Sequence, residues 1–188
     1  MKVTSGFNNR VVAAFLALLV AAAPAAAVDA AKVDDLLTRL TAAKDAEEAG
    51  RIEAELMIEW SKSGSATVDL LTRRGQEALE MGDTQAAIEH FTALIDHAPD
   101  HLAAYDGRAT AYYLAGEIGP AVADIAHLLS VEPRHFGALT GLALILEESD
   151  EPEKALAAYR AAHAIHPFKA EVNDAIERLE KTLEGQEL

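Results

Sequence analysis

Residues 68–169 read VDLLTRRGQEALEMGDTQAAIEHFTALIDHAPDH (68–101), LAAYDGRATAYYLAGEIGPAVADIAHLLSVEPRH (102–135) and FGALTGLALILEESDEPEKALAAYRAAHAIHPFK (136–169). Pro99, Pro133 and Pro167 fall 34 residues apart, and the same skeleton precedes each of them. Small residues recur at Gly75, Ala109 and Ala143, and again at Ala87, Ala121 and Ala155. Large apolar residues recur at Leu71, Tyr105 and Leu139 and at Phe91, Ile125 and Tyr159, with Leu94, Leu128 and Ala162 also in register. Turn signals fall at Gly82-Asp83, Gly116-Glu117 and Asp150-Glu151. A fixed period of this length is the mark of stacked supersecondary units.

Within each unit the apolar residues follow helical spacing, as Ala87, Ile88, Phe91, Leu94 and Ile95 do in the first. The Gly-Asp or Gly-Glu pair closes one helix and opens the next, so each unit is a helical hairpin. Small residues admit close helix approach, and large ones fill the groove between units. Each proline ends its second helix, since it cannot supply the next backbone hydrogen bond. One hairpin cannot bury both of its faces, so neighbours must stack. The three registered copies resemble tetratricopeptide repeats, with Arg74-Gly75 and Arg108-Ala109 similar to that family's leucine-glycine pair. The fold expected is all-α: a solenoid of three 34-residue hairpins at 68–101, 102–135 and 136–169.

Two further segments complete that plan. Residues 33–65 form an N-terminal helix pair after a short linker at 28–32. Val33, Leu36, Leu37 and Leu40 make one stripe, and Ile52, Leu56, Met57 and Trp60 a second, before Lys62-Ser63-Gly64-Ser65 leads into the first unit. This pair, with a degenerate repeat as the alternative reading, is expected to pack on the first repeat, with Trp60, the sole tryptophan, burying that repeat's edge. Residues 170–188 supply a capping helix and tail, with Val172, Ala175, Ile176, Leu179 and Leu183 on one face and mostly charge on the other. A solenoid needs such a polar-backed helix to seal its last apolar face.

Residues 1–27 read as a secretory signal. Lys2 and Arg10 precede an apolar run of 13 residues, VVAAFLALLVAAA, and Ala25-Ala26-Ala27 offers a cleavage site. The run is short for a membrane span, so export to a periplasm is expected, with an uncleaved inner-membrane anchor as the alternative. The chain has no cysteine, which removes disulfides and thiolate metal sites. Its net charge is −15, and loss of Lys2 and Arg10 with the leader would take it to −17. Nucleic acids and anionic lipid surfaces need clustered Lys and Arg, so neither is an expected partner. The acids are expected to form a solvated outer face, with a site for a basic partner as the alternative.

Catalytic signals are sparse. The seven histidines raise metal or acid–base chemistry, but Pro99 separates His97 from His101, and no acidic ligand lies at helical spacing from His163 and His166. His90 and His127 lie on second helices, where solvated positions are expected, and His135 follows Arg134, a poor setting for a cation. Surface placement is the expectation for the histidines as a group. No HExxH, phosphate loop or GxSxG occurs, and the acids at Glu147-Glu148 and Asp150-Glu151 span a helix end and a turn. The expectation is no enzyme, no cofactor and no metal.

The resemblance implies binding instead. In the family, the first helix of each hairpin lines a concave surface that receives a peptide or a partner's helix. By register these residues would be Asp69, Thr72 and Gln76, then Ala103, Asp106, Thr110 and Tyr113, then Gly137, Thr140, Leu144 and Glu147. The family's carboxylate clamp uses lysines, asparagines and an arginine, whereas the matching places hold Thr72, Gln76, Gly107, Gly137 and Gly141. Tyr113 and Leu144 stand out as apolar anchors. Arg73, Arg74 and Arg108 lie beside this groove, where pairing with acids between repeats is an equal alternative. An exported adaptor binding a protein or peptide is therefore the leading expectation. Self-association into a homo-oligomer through a repeat edge, and a His/Glu metal-dependent enzyme, are the alternatives.

Overall fold

The computed structural model describes residues 28–186, and the leader expected at 1–27 lies outside them. All regular structure among the described residues is helical. The order is α1 (Ala30–Thr41), α2 (Ala46–Ser61), α3 (Ala66–Glu80), α4 (Thr84–His97), α5 (Leu102–Leu114), α6 (Ile118–Val131), α7 (Phe136–Glu148), α8 (Pro152–Ile165) and α9 (Ala170–Gln186). The hairpins α3/α4, α5/α6 and α7/α8 stack in chain order, and α9 packs on α8. α1 starts three residues ahead of Val33, inside the segment read as a linker, because Asp29 caps it by accepting from the amides of Ala31 and Lys32.

The repeated turn has one geometry. Gly82, Gly116 and Asp150 all take left-handed backbone, at φ 73°, 78° and 59°. At each, the next residue's amide reaches back five positions: Asp83 to Ala78, Glu117 to Tyr112 and Glu151 to Leu146, at 2.8–3.0 Å. These paired bonds satisfy the last carbonyls of the first helix and aim the chain back along it. The third unit does this with aspartate where the first two use glycine.

Between units, packing follows the alternation of small and large residues. Phe91, on α4, is 1% exposed and its ring is set against two glycines. A Cβ on Gly75 would lie 2.6 Å from the ring, and one on Gly107 of the next repeat 2.3 Å. Both glycines thus make room for a side chain, not only for a neighbouring backbone. Arg108 joins the layers through a bidentate pair with Asp124 at 2.8 Å and a bond to Thr92 at 3.2 Å. The acid it meets lies within its own repeat; Thr92 belongs to the preceding one.

The N-terminal pair departs from expectation. It does not build on the first repeat, whose core draws on α3, α4 and α5 among the described residues. Leu36, Leu37 and Leu40 of α1 and Ile52, Leu56 and Trp60 of α2 instead share a core with Phe136, Leu156, Tyr159 and, on α9, Val172 and Leu179. Trp60 stacks on His135 at 4.3 Å and tilts over Phe136 at 5.9 Å. Polar contacts fix the same placement: Arg134–Asp34 at 2.7 Å, Lys169–Glu53 at 2.5 Å, and Thr41 Oγ1 donating to the Ile165 carbonyl at 3.2 Å. The physical reason is the third repeat's end, where Phe136, Ile165 and Phe168 offer apolar surface that an amphipathic hairpin can bury.

Candidate binding groove

The first helices α3, α5 and α7 lie side by side and leave two clefts. One, of 270 Å³, opens between α5 and α7 and is lined by Asp106, Thr110, Tyr113, Gly137, Gly141 and Leu144 above a floor that includes Ala109, Ile125 and Ile145. The second, of 410 Å³, lies between the C-terminal turn of α2 and the α3/α5 face. Met57, Ile58, Trp60 and Ser61 form its α2 wall, facing Gln76, Leu79, Ala103 and Gly107. Asp106 and Thr110 line both clefts.

Seven of the eleven positions named from the register therefore border these clefts: Gln76, Ala103, Asp106, Thr110, Tyr113, Gly137 and Leu144. Four do not. Thr72 is buried beneath the surface. Asp69 accepts from Ser63 at 2.5 Å, tying α3 to the loop before it. Thr140 donates to the Phe136 carbonyl at 2.8 Å along its own helix. Glu147 is engaged by Arg178 of α9, which holds its carboxyl below the usual range despite some opposing burial. Gly107, matched to a clamp position, is bare because Phe91 occupies the space its side chain would take. The α2 wall was missed at the sequence level. Its signal was the Met57-Ile58 pair, since Ile58 lies off the buried stripe and is 63% exposed.

Charge in the groove is sparse and negative. Asp106 is the one carboxylate lining the clefts, and no lysine or arginine lines either. Arg108 is committed to Asp124. The Tyr113 hydroxyl donates to Glu148 Oε1 at 2.6 Å, and that bond, with burial, raises the phenol's pKa. The bond orients the ring at the cleft's edge.

The histidines correct the expectation of a solvated set. His101, His135 and His166 are buried, at 8%, 4% and 3% exposure. His135 caps α7, its Nδ1 accepting from the Ala138 amide at 3.1 Å. Burial pushes its pKa down, against the opposing pull of Asp106 and Glu132, so the ring is neutral with its proton on Nε2. His166 Nε2 lies 3.1 Å from Glu53. Burial pushes that carboxyl up, but Lys169 and His166 together hold it below its ordinary value. Even exposed His127 stacks on Tyr105, at 4.1 Å. His135 thus serves a helix end, and His166 and His127 join neighbouring elements. No group of three or more His, Asp or Glu among the described residues gathers as a metal site.

A TPR repeat-containing protein of Rhizobium etli is 33% identical to this chain over 154 residues, which is 82% of this chain and 76% of that protein. The first TPR of Spaghetti (RPAP3), solved with the HSP90 peptide SRMEEVD, matches with a TM-score of 0.59 at 18% identity, over 63% of this chain and 94% of that one. The Sgt2 TPR domain from Aspergillus fumigatus matches at 0.60 and 21% identity, over 65% and 83%. At such identities the two structures speak for the fold. No protein-family model matches the chain.

Proposed function

Since the chain belongs to the tetratricopeptide-repeat proteins, we propose that it is a non-catalytic adaptor holding a protein or peptide segment against α3, α5 and α7. Tetratricopeptide folds are protein–protein interaction modules, and the partner class follows from that. The observation that carries the reading to this chain is the open apolar cleft between α5 and α7, with Tyr113 on one wall and Leu144, 37% exposed, on the other. Apolar anchors in a concave, partly desolvated site supply most binding energy in such interfaces.

The ligand differs from the one in the Spaghetti complex. That peptide ends in acidic residues, whereas the clefts here carry Asp106 and no lysine or arginine. A like-charge meeting would cost affinity, so an acidic tail is a poor ligand. The leader-like residues 1–27 support export, and we place the adaptor in the cell envelope on that ground.

The test is crosslinking capture from the cell of origin, with the full chain and its Tyr113→Ala/Leu144→Ala variant in parallel. Loss of two anchors should cut capture about thirtyfold or more, at about 1–2 kcal/mol each, while circular dichroism stays unchanged. Equal capture by the two forms would remove the groove as the binding site. Fractionation of the same cells tests location: recovery in the cytoplasm would overturn the envelope assignment.

A further inference from the structure

The groove reading says where a segment binds; the wall supplied by α2 and the position of Asp106 say what it must contain. We propose, resting on that reading, that the groove selects a peptide segment in which a lysine or arginine is flanked on both sides by apolar residues. Asp106 pairs with the cation, and Met57 and Ile58 of α2 close over one of the apolar neighbours.

Three observations converge on this. The two clefts are apolar and meet at Asp106 and Thr110, the residues common to both linings. A segment passing from one cleft to the other therefore crosses the carboxylate. The Asp106 side chain, half-buried, makes no hydrogen bond or ion pair among the described residues. The Thr110 hydroxyl uses the Asp106 backbone carbonyl instead, at 3.0 Å. A partly desolvated carboxylate without a cation is a site whose complement must come from outside. The basic groups nearby do not compensate it: Arg108 is bidentate on Asp124, and burial keeps the His135 ring neutral.

The third observation concerns α2. Its buried stripe is spent on the core with the third repeat, yet Met57 and Ile58 remain 46% and 63% exposed, on the cleft side of the same turn. They face Leu79, Ala103 and Gly107 across a 410 Å³ gap. Filling that gap with an aliphatic side chain would remove apolar surface from water on both walls at once. The net charge of −15 adds a long-range preference for basic segments over acidic ones.

The probe is a phage-displayed library of random peptides selected on the immobilised full chain, followed by affinity measurement on one selected peptide. The expected result is enrichment of Lys or Arg between apolar residues. Asp106→Asn and replacement of the peptide's cation by glutamine should each weaken binding about tenfold, and the second change should add little once the first is made. Ile58→Ser should weaken it about tenfold as well, with an unchanged melting temperature because Ile58 is outside the core. If selected peptides lose binding in Tyr113→Ala/Leu144→Ala but not in Asp106→Asn or Ile58→Ser, the adaptor groove stands and this selectivity is wrong. If no peptide is enriched, or none of the variants affects binding, both are wrong.

Discussion

Phe91 illustrates how a single residue holds two repeats together. Its ring is wedged against Gly75 on its own repeat and Gly107 on the next, so glycine's lack of a side chain is a packing requirement at both places. Helix propensity alone would favour Gly107→Ala by about 1 kcal/mol. Overpacking costs about 1–3 kcal/mol, and a contact at 2.3 Å belongs at the upper end. The expected net loss is about 2 kcal/mol by urea denaturation, partly recovered by adding Phe91→Leu. Phe91→Ala should itself cost about 3–5 kcal/mol. Asp150 makes the opposite case. Left-handed backbone costs a side-chain-bearing residue about 1–2 kcal/mol, and glycine's greater chain entropy offsets about half of that. Asp150→Gly should therefore raise stability by about 0.5–1 kcal/mol, while the equivalent Gly116→Asp lowers it.

At the scale of elements, the hairpin α1–α2 is closed by Glu59, which is fully buried. Its carboxylate accepts from Lys62 Nζ at 2.7 Å and from the Asp29 amide at 3.1 Å, and it pairs with Lys32 at 3.0 Å. The Lys62 bond, aided by the others against burial, pulls its pKa down to about 2. The folded chain therefore binds this proton later than the unfolded chain, whose glutamate titrates near its ordinary value. The stabilisation is present above about pH 4.3 and is lost as pH falls towards 2. Urea midpoints measured at pH 5 and pH 2.5 should fall more for the wild type than for Glu59→Gln, which starts lower and changes less. The register of the hairpins was legible because packing repeats every 34 residues. The destination of α1–α2 was not, because an amphipathic stripe states that a face must be covered without saying by what.

For the whole molecule, that destination changes cooperativity. A linear repeat array contacts only its neighbours and can unfold from its ends. Here contacts such as Arg134–Asp34 and Lys169–Glu53 join residues about a hundred positions apart and tie the N-terminal hairpin to the third repeat. Trp60, the sole tryptophan, sits at that junction and reports on it. Its fluorescence and the helical circular dichroism should change together in one urea transition. A fluorescence change at lower urea would mean that the hairpin detaches before the repeats melt. Trp60→Ala should cost about 3–5 kcal/mol and remove this coupling, leaving a broader helical transition.

The amino-acid sequence by itself determined the helical hairpins, their period and their order, because each rests on local signals: apolar spacing, left-handed turn positions and helix-ending prolines. Register also named eleven inner-face positions, of which seven border the clefts. Tertiary structure decided the rest. It brought α2 across to Phe136 and His135, turned three histidines inward, spent Glu147 on Arg178, and set Asp106 where two clefts meet. Each of these depends on which surfaces meet across long stretches of chain. Such meetings are chosen by the fit of whole faces, and no run of neighbouring residues encodes them.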